Sequence, residues 1–176
     1  MSGGGPEGEA AAPAGPDQTV HASCVLLGEA GVLIRGASGA GKSALCLALL
    51  ERAGGEGRHA RLVGDDRIRL EARHGRLLAR PHPALAGLIE IRGHGIRRLA
   101  AHAPAAVVRL VVDLVDTAER LPGPAPATVR LLGVSLPRLA LEPRQPREYL
   151  IREALEAGVA ARTHPAALVP GHGRDP

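Results

Sequence analysis

Val32-Leu33-Ile34-Arg35-Gly36-Ala37-Ser38-Gly39-Ala40-Gly41-Lys42-Ser43-Ala44-Leu45-Cys46-Leu47 is the stretch around which the rest of the chain is organised. Residues 36–43 satisfy G-x-x-x-x-G-K-[ST] at every fixed position, with an apolar strand-like run before them and a helix-prone run after. Strand, glycine turn and helix are the context a phosphate-binding loop requires. The glycines let successive N–H groups turn inward toward phosphate oxygens, and the helix start adds its positive dipole end. The whole loop is therefore a candidate nucleotide site: Gly36, Ala37, Ser38, Gly39, Ala40, Gly41, Lys42 and Ser43. Lys42 is placed to reach β- and γ-phosphates, and the Ser43 hydroxyl to hold Mg²⁺. Lys42 is also the only lysine among 22 basic residues. A chain that otherwise uses arginine keeps the compact ammonium for the one position where it does a distinct job.

Working outward, 176 residues give room for one domain with a real core. Hydrophobic residues make up 45% but aromatics only 1%, Tyr149 alone, so that core is built from Leu, Val, Ile and Ala. Residues 1–19 are rich in Gly, Ala and Pro and carry acids without any Lys or Arg, which predicts a disordered tail. Residues 161–176 read as a second flexible tail, leaving 20–160 as the catalytic unit. The net charge of +4 is spread over many arginines with no basic block and no aromatics for base stacking, which speaks against nucleic acid as a partner. The apolar runs are too short to span a membrane and the N-terminus has no export signal, so a cytoplasmic protein is expected. Cys24 and Cys46 lie in apolar runs and are expected to be buried free thiols.

In chain order, residues 20–27 read as a strand, 28–31 as a turn and 32–35 as a second strand. The loop and its helix follow, with Gly54-Gly55 as the stop. Residues 61–64 form a short strand into Asp65-Asp66. Residues 68–72 and 76–79 flank His74-Gly75 as a hairpin. Residues 88–91 are another apolar piece, and 107–115 give the strongest buried-strand signal. Residues 129–132 and 134–141 are further strands. Pro146 suits a helix start, and 148–160 carry Leu150, Ala154, Leu155 and Val159 on one side. Many strands, few long helices and a hairpin ahead of the loop predict an α/β, P-loop kinase-type fold with a mixed sheet in a single domain.

The chemistry needs more than the loop. Asp65-Asp66 ends a short strand downstream of the lysine, where a carboxylate beside bound Mg²⁺ is needed. One of the pair can take a proton from an attacking hydroxyl while the other supports the metal. Glu90 interrupts the apolar run Leu-Ile-Glu-Ile-Arg and is either a salt-bridge partner of Arg92 or a metal contact. His21 precedes the strand–turn–strand that leads into the loop.

His21, then Gly-x-Ser-Gly-x-Gly-Lys-Ser, Leu-Val-Gly-Asp-Asp-Arg and Ile-Glu-Ile-Arg-Gly-His-Gly-Ile, in that order, resemble the catalytic domain of HPr kinase/phosphorylase. The resemblance runs from about residue 20 to 147. It implies phosphorylation of a serine on the phosphocarrier HPr by ATP with Mg²⁺, and reversal by phosphorolysis with inorganic phosphate, in a homo-oligomer, a hexamer in the family. It implies that His21, Lys42, Asp65 and Asp66 are catalytic, Asp66 being the proton acceptor, and that Ser43 and Glu90 contact Mg²⁺. Glu119-Arg120-Leu121 is similar to the family's Asp-Arg-Leu, which makes Arg120 a candidate catalytic arginine. The chain departs from the family pattern at Ala22 and Ala37, and a short form without the family's usual N-terminal domain is expected. Pro143-Arg144-Gln145-Pro146-Arg147 matches only loosely the Pro-Gly-Arg segment tied to dephosphorylation, so phosphorolysis is expected to be slow.

Two other readings stay open at this stage. A small-molecule P-loop kinase would need an acceptor pocket and an arginine-bearing lid. A non-enzymatic ATP-binding sensor would need neither His21 nor the Asp pair. A GTPase is disfavoured, because its Asn-Lys-x-Asp motif needs a second lysine.

Overall fold

The computed structural model describes residues 17–117 and 127–163, with side chains through residue 158. Strand β1 (Asp17–Leu27) turns at Gly28-Glu29 and pairs antiparallel with β2 (Ala30–Gly36). β1 then serves two sheets. Its second half also carries β3 (Ala60–Gly64), while its first half, from Asp17 to His21, pairs with β4 (Arg67–Arg73). β4 and β5 (Arg76–Pro81) form the expected hairpin around His74-Gly75. β5 pairs with the start of β8 (Ala106–Leu114), and the rest of β8 lies parallel to β2. The path β2-β1-β4-β5-β8 thus returns to β2 and closes into a ring. β10 (Val134–Leu141) runs parallel to β8 outside the ring and carries β9 (Thr128–Leu131) antiparallel. The sheet is mixed, as the hairpin before the loop predicted. β6 (Leu88–Ile91) and β7 (Gly95–Arg98) form a separate two-stranded ribbon.

Two apolar clusters follow from this topology. One, including Ala22, Leu33, Ile68, Leu70, Leu77 and Val111, fills the ring. The other lies beneath α1 (Lys42–Gly55) and α2 (Arg147–Thr163), with Val32, Ile34, Leu45, Leu49, Leu110 and Ile151 among its members. Strand alternation explains β2, where Leu33 enters the ring and Val32 and Ile34 face the helices. On β8 the alternation needs a bulge. Gly31 pairs with Val108 but Val32 with Leu110, so Arg109 is extra and the faces exchange there.

Two boundaries and one strand differ from the sequence reading. β1 begins at Asp17, inside the expected tail 1–19, because Asp17-Gln18-Thr19 pair through the main chain with β4 while remaining exposed. An exposed strand shows no apolar period to detect. α2 extends to Thr163, past the expected limit at 160. β7 was unforeseen for the same reason as the start of β1, since all four of its residues are exposed. On α2, Leu150, Ala154 and Leu155 pack on the second cluster as expected, yet the fully buried residue is Ile151. A fully buried isoleucine contributes about 1.5–3 kcal/mol, so Ile151 holds the helix down. The side chain of Val159 lies outside the described residues. Among those residues no helix is long and apolar enough to cross a membrane.

Candidate active site

The loop between β2 and α1 is built on glycines at positive φ. Gly41 caps α1 at φ 93°, and its carbonyl accepts from Leu45 N–H at 2.9 Å. Gly39 stands at φ 80°, and a Cβ added there would lie 2.9 Å from Arg92 Nη2. Glycine at 39 therefore serves both the turn and the seating of that guanidinium, which β6 delivers from its end.

Lys42 is buried, and its ammonium donates to Gly36 O and Ala37 O, each at 3.0 Å, and contacts His21 Nε2 at 2.9 Å. An ammonium has three donors and no acceptor, so His21 Nε2 must be the accepting nitrogen. The proton of the neutral ring is then on Nδ1, which lies 2.9 Å from Asp66 Oδ1 and donates to it. Asp66, His21 and Lys42 form one hydrogen-bonded line that runs from a half-exposed carboxylate into the loop. Asp66 is held in the left-handed region at φ 66°, a conformation Asp tolerates better than most side chains. Its carbonyl accepts from Ala22 N–H at 3.2 Å, tying the corner between β3 and β4 to β1 beside His21.

Asp65 points the other way. It is buried, 5% exposed, and accepts from Ser43 Oγ at 2.8 and 3.0 Å, Ser23 Oγ at 2.5 Å and the Glu90 main-chain N–H at 3.1 Å. Two adjacent carboxylates thus have separate surroundings, one locked under the loop serine and one open to an acceptor. The Glu90 side chain is exposed and makes no ion pair with Arg92 among the described residues, so the salt-bridge reading of that pair does not hold. Mg²⁺ takes oxygen ligands and keeps several waters beside substrate phosphates. The Ser43 hydroxyl, the Asp65 carboxylate and the nearby Glu90 offer such oxygens. No cluster of three acidic, His or Cys side chains exists among the described residues, and a cation held mainly by phosphates needs none.

Two further features frame the loop. The Asp113 carboxylate on β8 binds Arg35 of β2 at 2.7 and 2.8 Å and Arg138 of β10 at 2.5 Å. Burial pushes this carboxyl up, but hydrogen bonds and charge from the two guanidinium groups outweigh it and hold it below the ordinary value. This triad ties β2, β8 and β10 together next to Gly36. The expected buried thiols are found: burial pushes Cys24 up to about 12 and Cys46 well above its ordinary value, the latter helped by the Asp65 charge, so neither is reactive at neutral pH. A cavity of about 1110 Å³ lies elsewhere, beside Leu49, Ala53, Arg109 and Leu155, so cavity size alone would point away from the loop.

The structure brings together His21, Lys42, Ser43, Asp65, Asp66 and the Glu90 main chain. Arg120 lies outside the described residues. Ser23 was not foreseen, and Arg92 was expected only as a possible partner of Glu90. Ser23 had one signal, a hydroxyl between Ala22 and Cys24 in an otherwise apolar strand.

The model of the HPr Serine kinase C-terminal domain matches residues 14–157. The chain belongs to this family. HPr kinase/phosphorylase of Mycoplasma mycoides subsp. mycoides SC is 40% identical over 112 residues, 60% of this chain and 34% of that protein. Its counterpart in Halalkalibacterium halodurans is 32% identical over 148 residues, 77% of this chain and 46% of that protein. The chain thus spans between a third and a half of the length of these two relatives. Among solved structures, the Hpr(Ser) kinase/phosphatase from Coxiella burnetii superposes with a TM-score of 0.65 at 30% identity, covering 84% of this chain and 99% of that one. Membership in the HPr serine kinase family accounts for the loop and the Asp pair lying on a mixed sheet.

Proposed function

We propose that the protein is an ATP- and Mg²⁺-dependent kinase that phosphorylates a serine hydroxyl of the phosphocarrier HPr and also runs the reverse reaction with inorganic phosphate. The observation that carries this reading is the Asp66–His21–Lys42 line ending in the phosphate loop. Ser43 and Asp65, with Glu90 nearby, would hold Mg²⁺, which would supply neutralisation of the phosphate charge. Asp66 takes the proton of the serine hydroxyl as that oxygen bonds to the transferred phosphorus and the bond to the leaving diphosphate breaks. His21 holds Asp66 in place through the hydrogen bond donated by Nδ1. Lys42 releases the loop carbonyls and turns to the phosphates. In the reverse direction Asp66 returns the proton, since microscopic reversibility requires the same group both ways. Residues 20–160 are taken as the catalytic unit, with Arg120 as a further transfer arginine, in a cytoplasmic homo-oligomer.

The test is incubation with labelled ATP, Mg²⁺ and purified HPr, followed by mapping of the phosphorylated residue. Label on one HPr serine is expected. Absence of label, with ATP still bound, would leave the chain as a nucleotide-binding module.

A further inference from the structure

Ser23 lies on β1 between Ala22 and Cys24, which both belong to the ring cluster, so strand alternation turns its hydroxyl toward α1. The side chain is fully buried, where an apolar residue would pack without needing a partner. The partner is Asp65, whose Oδ1 accepts from Ser23 Oγ at 2.5 Å. The Glu90 main-chain N–H donates to the second oxygen, Oδ2, at 3.1 Å. One donor on each oxygen fixes the rotation of the carboxylate about its Cβ–Cγ bond. The Ser43 hydroxyl stands across this fixed pair, 3.0 Å from Oδ1 and 2.8 Å from Oδ2. A carboxylate only accepts, so the single Ser43 proton points at Asp65 and the hydroxyl lone pairs stay free for a cation. The Cys46 thiol of α1 is hydrogen-bonded to Ser23 as well. A buried thiol stays protonated and donates, which leaves the Ser23 proton to Asp65.

We infer that Ser23 is a positioning residue for the Mg²⁺ site: it locks the Asp65 carboxylate in the orientation that aims the Ser43 lone pairs at the cation. It acts through two other side chains rather than on the cation itself. Outer partners of this kind fix the direction of a ligand, and their loss typically costs 10- to 100-fold in metal affinity. The inference rests on the reading of Ser43 as the Mg²⁺ contact but not on the identity of the acceptor. It also accounts for a hydroxyl in the buried, otherwise apolar part of β1.

The experiment uses an ATP analogue with an uncleavable β–γ bridge, titrated calorimetrically into the full chain with and without Mg²⁺. Binding then reads the metal contribution with no transfer step. In Ser23→Ala the affinity with Mg²⁺ should fall roughly 10- to 100-fold, while the metal-free affinity stays at the parent value. Ser23→Cys fills the same space with a weak donor and should show the same loss without leaving a cavity. Ser23→Thr keeps the hydroxyl and should recover most of the affinity. Cys24→Ala, at an equally buried neighbour in the ring cluster, should lower the melting temperature and leave both affinities unchanged. A merely structural serine would behave like that control. Parent-like Mg²⁺ dependence in Ser23→Ala and Ser23→Cys overturns the inference, as does an equal loss with and without the metal. A parent chain whose affinity ignores Mg²⁺ would remove Ser43 as the metal contact, and this role of Ser23 with it. Ser23-dependent Mg²⁺ binding without transfer to HPr would leave the inference standing and remove only the acceptor assignment.

Discussion

The Lys42 ammonium is bonded to His21 Nε2 at 2.9 Å across 21 residues of chain, and through that ring it is linked to Asp66. All three of its donors are engaged before any phosphate arrives. Nucleotide binding is therefore an exchange of partners at Lys42, and the energies of the site are coupled.

Lys42→Ala should abolish phosphoryl transfer and sharply weaken ATP binding while leaving a folded protein. Equilibrium nucleotide binding and single-turnover transfer measure both effects. Unchanged turnover would remove the loop from the mechanism.

Asp66→Asn should lower the transfer rate by roughly 10²–10⁴, with most ATP affinity retained, as for a lost general base. The effects of Asp66→Asn and His21→Ala should not add, since either breaks the same line; a coupling of about 0.5–3 kcal/mol is expected from the double-mutant cycle. Additive losses would separate His21 from the proton acceptor.

Asp65→Asn should behave differently from its neighbour. An amide in place of one carboxylate oxygen leaves Ser23, Ser43 or the Glu90 N–H facing a donor, so the variant should lose about 1–3 kcal/mol of stability and require more Mg²⁺ for turnover. Urea denaturation and a Mg²⁺ titration report these separately. A variant of full stability would contradict the buried hydrogen-bond set.

Asp113 gives the pH dependence. Its folded value lies below the ordinary 3.8, so its contribution is complete above 3.8 and is lost as pH falls through the lowered folded value. Asp113→Asn should cost about 2 kcal/mol at neutral pH. The gap between variant and parent in urea denaturation should narrow below 3.8 and then close. A gap that persists in acid would assign the loss to packing.

Much of the fold was legible because local rules wrote it. Gly36 to Ser43 announced the loop, His74-Gly75 the hairpin, and the apolar run around Val111 the buried strand. Asp113 sits inside that run with no local reason, and only the neighbouring strands supply its arginines. The division of labour between Asp65 and Asp66 was equally hidden, because adjacent residues at a corner point in opposite directions and sequence does not say which way is inward.

β1 belongs to two sheets, and the changeover falls between His21 and Ala22. The loop, α1, β2, β3 and the parallel part of β8 stand on one side of that seam. Asp66 and His21 stand on it, and β4 and β5 lie beyond. Under mild denaturant the hairpin side can fray while the parallel side persists. Nucleotide binding should then outlast phosphoryl transfer, and the protein would pass through a state that still holds its donor but has let go of the groups that spend it.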